Sequence, residues 1–351
     1  LEADRAVIAA ALGCKPDELY FTSCGTESDN WAIRLAAHQN RRVGKHIITT
    51  AVEHSAVLEP CRQLEQEGYA VTYLAPDRQG NITAQQVADA LREDTALVSV
   101  MLVNNETGCV FPVVEIARLL RERGSRALLH TDAVQAFLKL PFRADTLGAD
   151  LISVSGHKLN APKGVGALYI GPRCRAVRPL LAGGGQERGL RSGTEATGQL
   201  AALAAAVTAG RATLERDLAA MADLKQYAVD RLKSAVPRGK VLVEGGAPHI
   251  LPISLVGYKS EVVEAALKAG ADLVNDIWGL KYDRKVADLI AQYKVPCCLM
   301  HNREKAEYNN FLDDFCQDMR DSLAIAKEAG IADEQIILDP GVGFGKNYEH
   351  N

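Results

Sequence analysis

Short apolar runs recur along the chain, each closed by a cluster of small or polar residues, with stretches of helical spacing between them. The runs at 18–22, 46–50, 70–74, 96–103, 127–131, 151–155 and 166–170 read as buried strands. Helical patterns over 1–13, 29–37, 53–67 and 112–123 alternate with them. That alternation predicts an α/β fold, a mostly parallel sheet with helices on both faces. An Ala-rich helical stretch, 195–236, carries Leu214, Leu218, Met221 and Leu224 at helical spacing and leads to strands at 240–243 and 248–256. The alternation then resumes: helix 259–268, strand 271–276, helix 283–292, strand 295–301, helix 308–329, strand 335–339.

In open parallel sheets ligands bind beyond the carboxyl ends of the strands. Thr26, Asn105, Asp132, Gln135, Ser155, His157 and Lys158 all fall at such ends. Singly, each is compatible with a cap or a turn; five strand ends with complementary chemistry imply one site. Ser23–Ser28 is a small polar turn between a strand and a helix, an arrangement that offers backbone N–H groups to a phosphate. His54 stands at a helix start, where a histidine serves as a cap, a surface residue or a catalyst. Lys158 lies between two apolar runs. An unpaired buried ammonium is expensive, so either this lysine snorkels to the surface or its pKa is lowered and its neutral amine attacks an aldehyde such as pyridoxal phosphate.

Composition narrows the classes without choosing among them. The chain has 351 residues, 47% hydrophobic and 24% charged, with net charge -4. That is long enough for two domains. No basic patch points to nucleic acid, and no apolar run approaches the ~18 residues of a membrane span. Eight scattered cysteines without metal spacing fit a reducing cytoplasm and free thiols. The chain opens at Leu1, already inside a helical pattern and without a secretory leader, and reads as beginning within a helix.

The motifs FTSCGTESDN (21–30), VEHSAVL (52–58), VNNETG (103–108), HTDAVQ (130–135), SVSGHKLNAPKGVGALY (153–169) and GGGQERGLRSGT (183–194) are together highly specific. Through them residues 1–257 resemble the cysteine desulfurases of the class V aminotransferase family, truncated at both ends. The resemblance implies the large domain of the pyridoxal-phosphate-dependent transferase fold type I. It further implies pyridoxal 5'-phosphate as cofactor, L-cysteine as substrate, a homodimer, and a sulfur-acceptor or scaffold protein for iron–sulfur cluster or other sulfur delivery. By that resemblance Lys158 carries the cofactor as an internal Schiff base, Asp132 keeps the pyridine nitrogen protonated, Gln135 bonds the ring hydroxyl and His54 stacks on the ring. Gly25, Thr26, Ser155 and His157 hold the phosphate, Thr194 reaches the phosphate of the other subunit, and Asn105 contacts the cofactor or the substrate carboxylate. Cys24 departs from the family's usual Gly. The family's nucleophilic cysteine, on a mobile Ser/Gly-rich loop, and its late arginine for the substrate carboxylate lie beyond the resemblance, so desulfuration is expected to be impaired.

From Tyr258 onward the chain resembles a different family. YKSEVVEAALKAGADLVNDIWGL (258–280), VPCCLMH (295–301) and IILDPGVGFGKN (336–347) are similar to the middle of dihydropteroate synthase, a (β/α)8 barrel of folate biosynthesis. Asn275, Met300 and Asp339 match its pterin contacts, although strand-end polar and core residues would look the same. Only about three of its eight strands are represented, which predicts open edges and low stability for 258–351. The join near 257 has no Pro/Gly/Ser linker. Three functions follow: a pyridoxal-phosphate protein of desulfurase type, a pterin-binding protein, or a non-catalytic chimeric product.

Overall fold

The structure is a computed structural model and describes residues 1–175, 177–235, 240–254, 260–342 and 344–346. The expected join near 257 lies outside the described residues. Contacts divide the chain into two compact units, Leu1–Ser254 and Leu255–Asn351.

In the first unit the apolar runs form strands β1 (Leu19–Thr22), β2 (His46–Thr50), β3 (Ala70–Leu74), β4 (Thr95–Ser99), β5 (Leu128–Asp132), β6 (Leu151–Ser155) and β7 (Gly166–Ile170). Within the described residues they make one sheet in the order β1-β7-β6-β5-β4-β2-β3. Strands β3, β2, β4, β5 and β6 run parallel, and β7 runs antiparallel to both β6 and β1. The helices are α1 (Glu2–Leu12), α2 (Gly25–Gln39), α3 (Ser55–Gln66), α4 (Ala84–Ala90), α5 (Val113–Glu122), α6 (Ala144–Leu147) and α7 (Thr197–Ala235). Helix α1 stops where Gly13 turns left-handed, φ 80°, a conformation glycine adopts without a Cβ clash.

Alternation along the strands sorts the core into two layers. Ile48, Val98, Leu129, Ile152 and Ala167 join one cluster, which includes Ile8 of α1, Ile116 of α5 and Leu203 of α7. Ile47, Leu97, Leu128, Leu151 and Leu168 join the other, against Trp31, Ile33 and Ala36 of α2 and Val57 and Cys61 of α3. On that second face the next positions toward the strand ends are polar and fully buried: Thr49, Ser99, His130 and Ser153. Beyond that row come Asp132 and Ser155. The face is therefore stratified into an apolar tier, a hydrogen-bonded tier and a tier at the strand ends.

Three elements differ from the sequence reading. Helix α2 begins at Gly25, so the supposed polar turn is its first turn. Strand β4 ends at Ser99; beyond it the Val100 N–H still donates to the His130 carbonyl at 3.1 Å and the Leu102 N–H to the Asp132 carbonyl at 2.9 Å, and Val103 makes an isolated bridge to Val110. Strands β8 (Lys240–Val241) and β9 (Ile253–Ser254) are short and antiparallel.

The second unit repeats β and α in order: α8 (Ser260–Lys268), β10 (Val274–Asp276), α9 (Lys285–Tyr293), β11 (Cys297–Met300), α10 (Phe311–Glu328) and β12 (Ile336–Asp339). Its strands form a parallel sheet, β10-β11-β12. One face packs on the helices through Leu267, Val274, Ile290, Cys297, Leu299 and Ala326.

Candidate active site

The ends of β5 and β6, the loops after β2 and β4, and the start of α2 close around a cavity of about 250 Å³. Eight of the residues expected from sequence line it: Gly25, Thr26, His54, Asn105, Asp132, Gln135, His157 and Lys158. Cys24, Asp29, Ala56, Met101, Val103 and Val134 complete the wall.

Each side chain is placed by simple local causes. Asp132 ends β5, and its Oδ1 accepts from the Val134 N–H at 2.8 Å, which turns the chain so that Gln135 also faces the cavity. Burial pushes the Asp132 carboxyl up to about 7, with the neighbouring Asp29 adding to the rise. Lys158 sits half-buried on a single 3-10 turn, Gly156–Leu159, between the antiparallel strands β6 and β7. It is thus neither sealed between strands nor free at the surface. His54 caps α3, with Nδ1 accepting from the Ala56 N–H at 3.1 Å. Its ring proton is then on Nε2 in the neutral form.

The start of α2 is built to receive an anion. Its N-cap, Cys24, is extended and its side chain makes no capping hydrogen bond, so first-turn N–H groups lack that partner. A Cβ on Gly25 would lie 2.8 Å from Val134 Cγ2 and 3.5 Å from Ser155 Cβ. Ser155, buried at the end of β6, is paired at 2.8 Å with His157 Nδ1. Burial and the adjacent Lys158 and Lys163 hold the His157 imidazole below its usual range.

Thr194 does not line the cavity; it is exposed. Its segment is nevertheless tied down. Arg191 pairs with Glu27 in the first turn of α2 at 2.8 Å, and Glu187 makes a two-pronged pair with Arg5, both contacts 2.7 Å. The sequence reading missed Glu187, Asp29 and the His130 tier. Two signals could have found the last two: Asp29 is one helical turn from Gly25, and His130 shares a strand face with Asp132.

The donor set fits pyridoxal phosphate: an amine, a carboxyl group, an imidazole and an amide surround a polar cradle that only a Cβ-free residue leaves open. No helix among the described residues is long and apolar enough to cross a membrane, and no cluster there has the make-up of a metal site.

In the second unit, Asn275 pairs in register with Cys298, and Met300 with Asp339. These residues share the sheet face opposite the helices. Asn275 is exposed and lines a separate cleft with Asp276, Trp278 and Tyr282, whereas Met300 is buried. Asp339 Oδ1 accepts from the Gly341 N–H at 2.8 Å. Met300 and Asp339 are not part of the cleft.

Residues 228–351 match the pterin binding enzyme family, and residues 1–274 match the family described as aminotransferase class-V. The cysteine desulfurase IscS of Klebsiella pneumoniae (strain 342) is 44% identical over 271 residues, 75% of this chain and 65% of that protein. The IscS of Serratia proteamaculans (strain 568) is likewise 44% identical over 271 residues. The chain spans 65% of the length of these curated relatives. A solved NifS-like protein superposes with TM-score 0.71 at 36% identity, covering 76% of this chain and 73% of its own. DndA from Streptomyces lividans gives 0.68 at 39% identity, covering 76% of each chain. SspA, solved in complex with cysteine, gives 0.55 at 42% identity over 59% of each. With its sheet order, its lysine-bearing turn and a match over 1–274, the chain belongs to the class-V aminotransferase family, whose cysteine desulfurase members depend on pyridoxal phosphate.

Proposed function

We propose that the first unit holds pyridoxal phosphate on Lys158 and is a cysteine desulfurase-type protein acting on L-cysteine. The observation that carries this is the convergence of Lys158, Asp132, His54, Gln135 and the Gly25–Thr26 cradle on one cavity. When bound, the cofactor supplies an electron sink for bonds at the substrate's α-carbon. The chain's own residues then have distinct tasks. The first turn of α2, with Thr26, Ser155 and His157, binds the phosphate. Asp132 would hold the ring nitrogen and keep a proton there. Gln135 donates to the ring hydroxyl, and His54 covers the ring face and excludes water. Lys158 would anchor the cofactor covalently, and its amine would move protons at the substrate's α-carbon. Asn105 orients the substrate carboxylate. Thr194 serves the phosphate site of a second copy in a homodimer. The SspA complex with cysteine supports the choice of substrate.

Sulfur transfer itself is weak in this reading. Cys297 and Cys298 are on strand β11 and Cys316 is on helix α10, not on a Ser/Gly loop. Burial also pushes the Cys297 thiol up to about 11, away from the thiolate form a nucleophile needs. We take 1–257 as the desulfurase-like domain and 258–351 as the pterin-like segment, in a cytoplasmic protein that delivers little sulfur to an acceptor. The test is absorbance after adding pyridoxal phosphate, then borohydride reduction and peptide mapping. A reducible chromophore on Lys158, absent from Lys158→Ala, is expected. Label scattered over surface lysines, or a yellow, reducible Lys158→Ala, would refute the assignment.

A second reading, pterin binding by the second unit, draws on the family match over 228–351 and the shared face of Asn275, Met300 and Asp339. Quenching of pterin fluorescence by the full chain, lost in Asn275→Ala, is the expected result. No quenching at millimolar protein would end it.

A further inference from the structure

Asp29 stands one helical turn inside α2 and is 1% exposed, yet it forms part of the wall that contains Asp132. Its Oδ1 has no hydrogen-bond partner. The closest cationic candidate is His130 Nε2 at 3.4 Å, too poorly aligned to count as a hydrogen bond. His130 is fully buried and engaged elsewhere: Nδ1 with Ser99 Oγ at 2.8 Å and Nε2 with Ser153 Oγ at 3.1 Å. It cannot readily become a cation there, since burial holds its imidazole down at about 4. The Ser153 hydroxyl bonds the Asp29 carboxyl, but a carboxylate beside a neutral imidazole with its other oxygen buried and orphaned is costly in a protein interior. Protonation removes that cost, because a neutral carboxyl group can donate where a carboxylate cannot.

The groups around Asp29 agree. From β5 come His130 and Asp132, from β6 the hydroxyl of Ser153, and from the loop after β2 the buried Glu53. His54, His157 and Lys158 stand around the cavity rather than in the buried row. Burial pushes Asp29 up to about 7 and Glu53 up to about 8. Three carboxyl groups so close cannot all ionise cheaply.

We propose that Asp29 is a positioning residue that stays a neutral acid under the cavity floor, so that Asp132 is the carboxyl free to carry charge there. The proton on Asp29 neither enters nor leaves the reaction; it removes a like charge from behind Asp132 and completes the Ser99–His130–Ser153 row. The use made of Asp132 rests on the cofactor reading above, while the protonation of Asp29 does not.

The first test therefore uses the protein without cofactor. Infrared titration of the carboxylic acid stretch in the wild-type full chain should show buried acid groups persisting above pH 6. Asp29→Asn, which keeps the shape of a neutral acid, should lose one such band. Absence of any acid band at pH 6 in the wild type overturns the proposal without recourse to a variant. An unchanged band in a folded Asp29→Asn protein overturns it too. Should Asp29→Asn fail to fold, Ser153→Ala serves: a shift of the band upholds the assignment and an unmoved band rejects it. With pyridoxal phosphate added, the Lys158 chromophore of Asp29→Asn should keep the wild-type pH profile, because a neutral group has been replaced by a neutral group. A profile displaced by one unit or more would mean Asp29 is ionised in use. Failure of the wild type to form that chromophore would instead count against the cofactor reading alone.

Discussion

Replacing Glu187 by Ala should damage the first unit more than any exposed charge change. Glu187 and Arg5 are 2% and 3% exposed at the side chain, and two 2.7 Å contacts join them. Glu187 Oε2 also accepts from the Phe21 N–H at 2.8 Å, while Arg5 donates to the Leu19 carbonyl at 3.0 Å and lies 4.4 Å over the Phe21 ring. One glutamate thus joins the Gly-rich segment to α1 and β1. Breaking a buried pair destabilises by about 3–5 kcal/mol, and Arg5 would keep only the exposed Glu2, 3.1 Å from its Nε. At roughly 2–4 °C per kcal/mol for a unit of this size, Tm should fall by ~6–20 °C. The assay can be confined to this unit. With Trp278→Phe as background, Trp31, which is 2% exposed in the core, is the sole tryptophan. Its fluorescence during urea unfolding then reports the unit directly. A paired Arg5→Met, Glu187→Leu variant should regain most of the loss, because apolar replacement of a buried pair is often neutral or better. A single-variant loss below about 1 kcal/mol, the range of exposed pairs, would refute the reasoning.

Gly25→Ala should weaken cofactor retention by about 1–3 kcal/mol, since the added methyl meets the stiff Val134 side chain at 2.8 Å; Val134→Ala should restore it, as read by dialysis and absorbance. Glu53 titrates from its ordinary 4.5 up to about 8 on folding, so its contribution to stability is present below 4.5 and is lost as pH rises toward 8. Glu53→Gln should therefore match the wild type at pH 4 and exceed it at pH 8 in ligand-free thermal melts; parallel curves would contradict this. In the second unit, Asp318 accepts from His301 at 2.9 Å and Arg303 at 2.6 Å. Asp318→Ala should destabilise that unit by about 1–3 kcal/mol and speed hydrogen exchange in 301–303, with no change in the Trp31 transition.

Much of this was legible from the pattern alone. Strands at 46–50, 70–74, 151–155 and 166–170 fall where the apolar runs are, because a doubly covered parallel sheet needs near-continuous apolar strands. The site residues stood out because strand ends are where small and polar residues interrupt those runs. Burial direction and long-range partners were not legible. Nothing local marks Glu187 as buried: its partner Arg5 is far away in the chain, and its left-handed φ of 49° is unusual for a glutamate. Lys158 was legible as a strand-end residue, but whether it snorkels or stays buried was left open; the chain reverses there and leaves it half-buried. The strand read over 96–103 ends as regular structure at Ser99, although apolar character continues through Val103 and the Val100 and Leu102 N–H groups still bond to β5.

The antiparallel placement of β7 also orders events in time. Lys158 sits in a hairpin whose two strands are neighbours in the chain, so that arm can form early. The anion cradle reaches it only when β1 pairs with β7, a closure that joins Leu19 to Tyr169. Such a contact is late in folding because the loop-closure entropy precedes any reward. Capture of pyridoxal phosphate would then report the completion of the sheet. In stopped-flow refolding its absorbance should lag behind the quenching of Trp31, and a chromophore already formed in the burst phase would reverse that order.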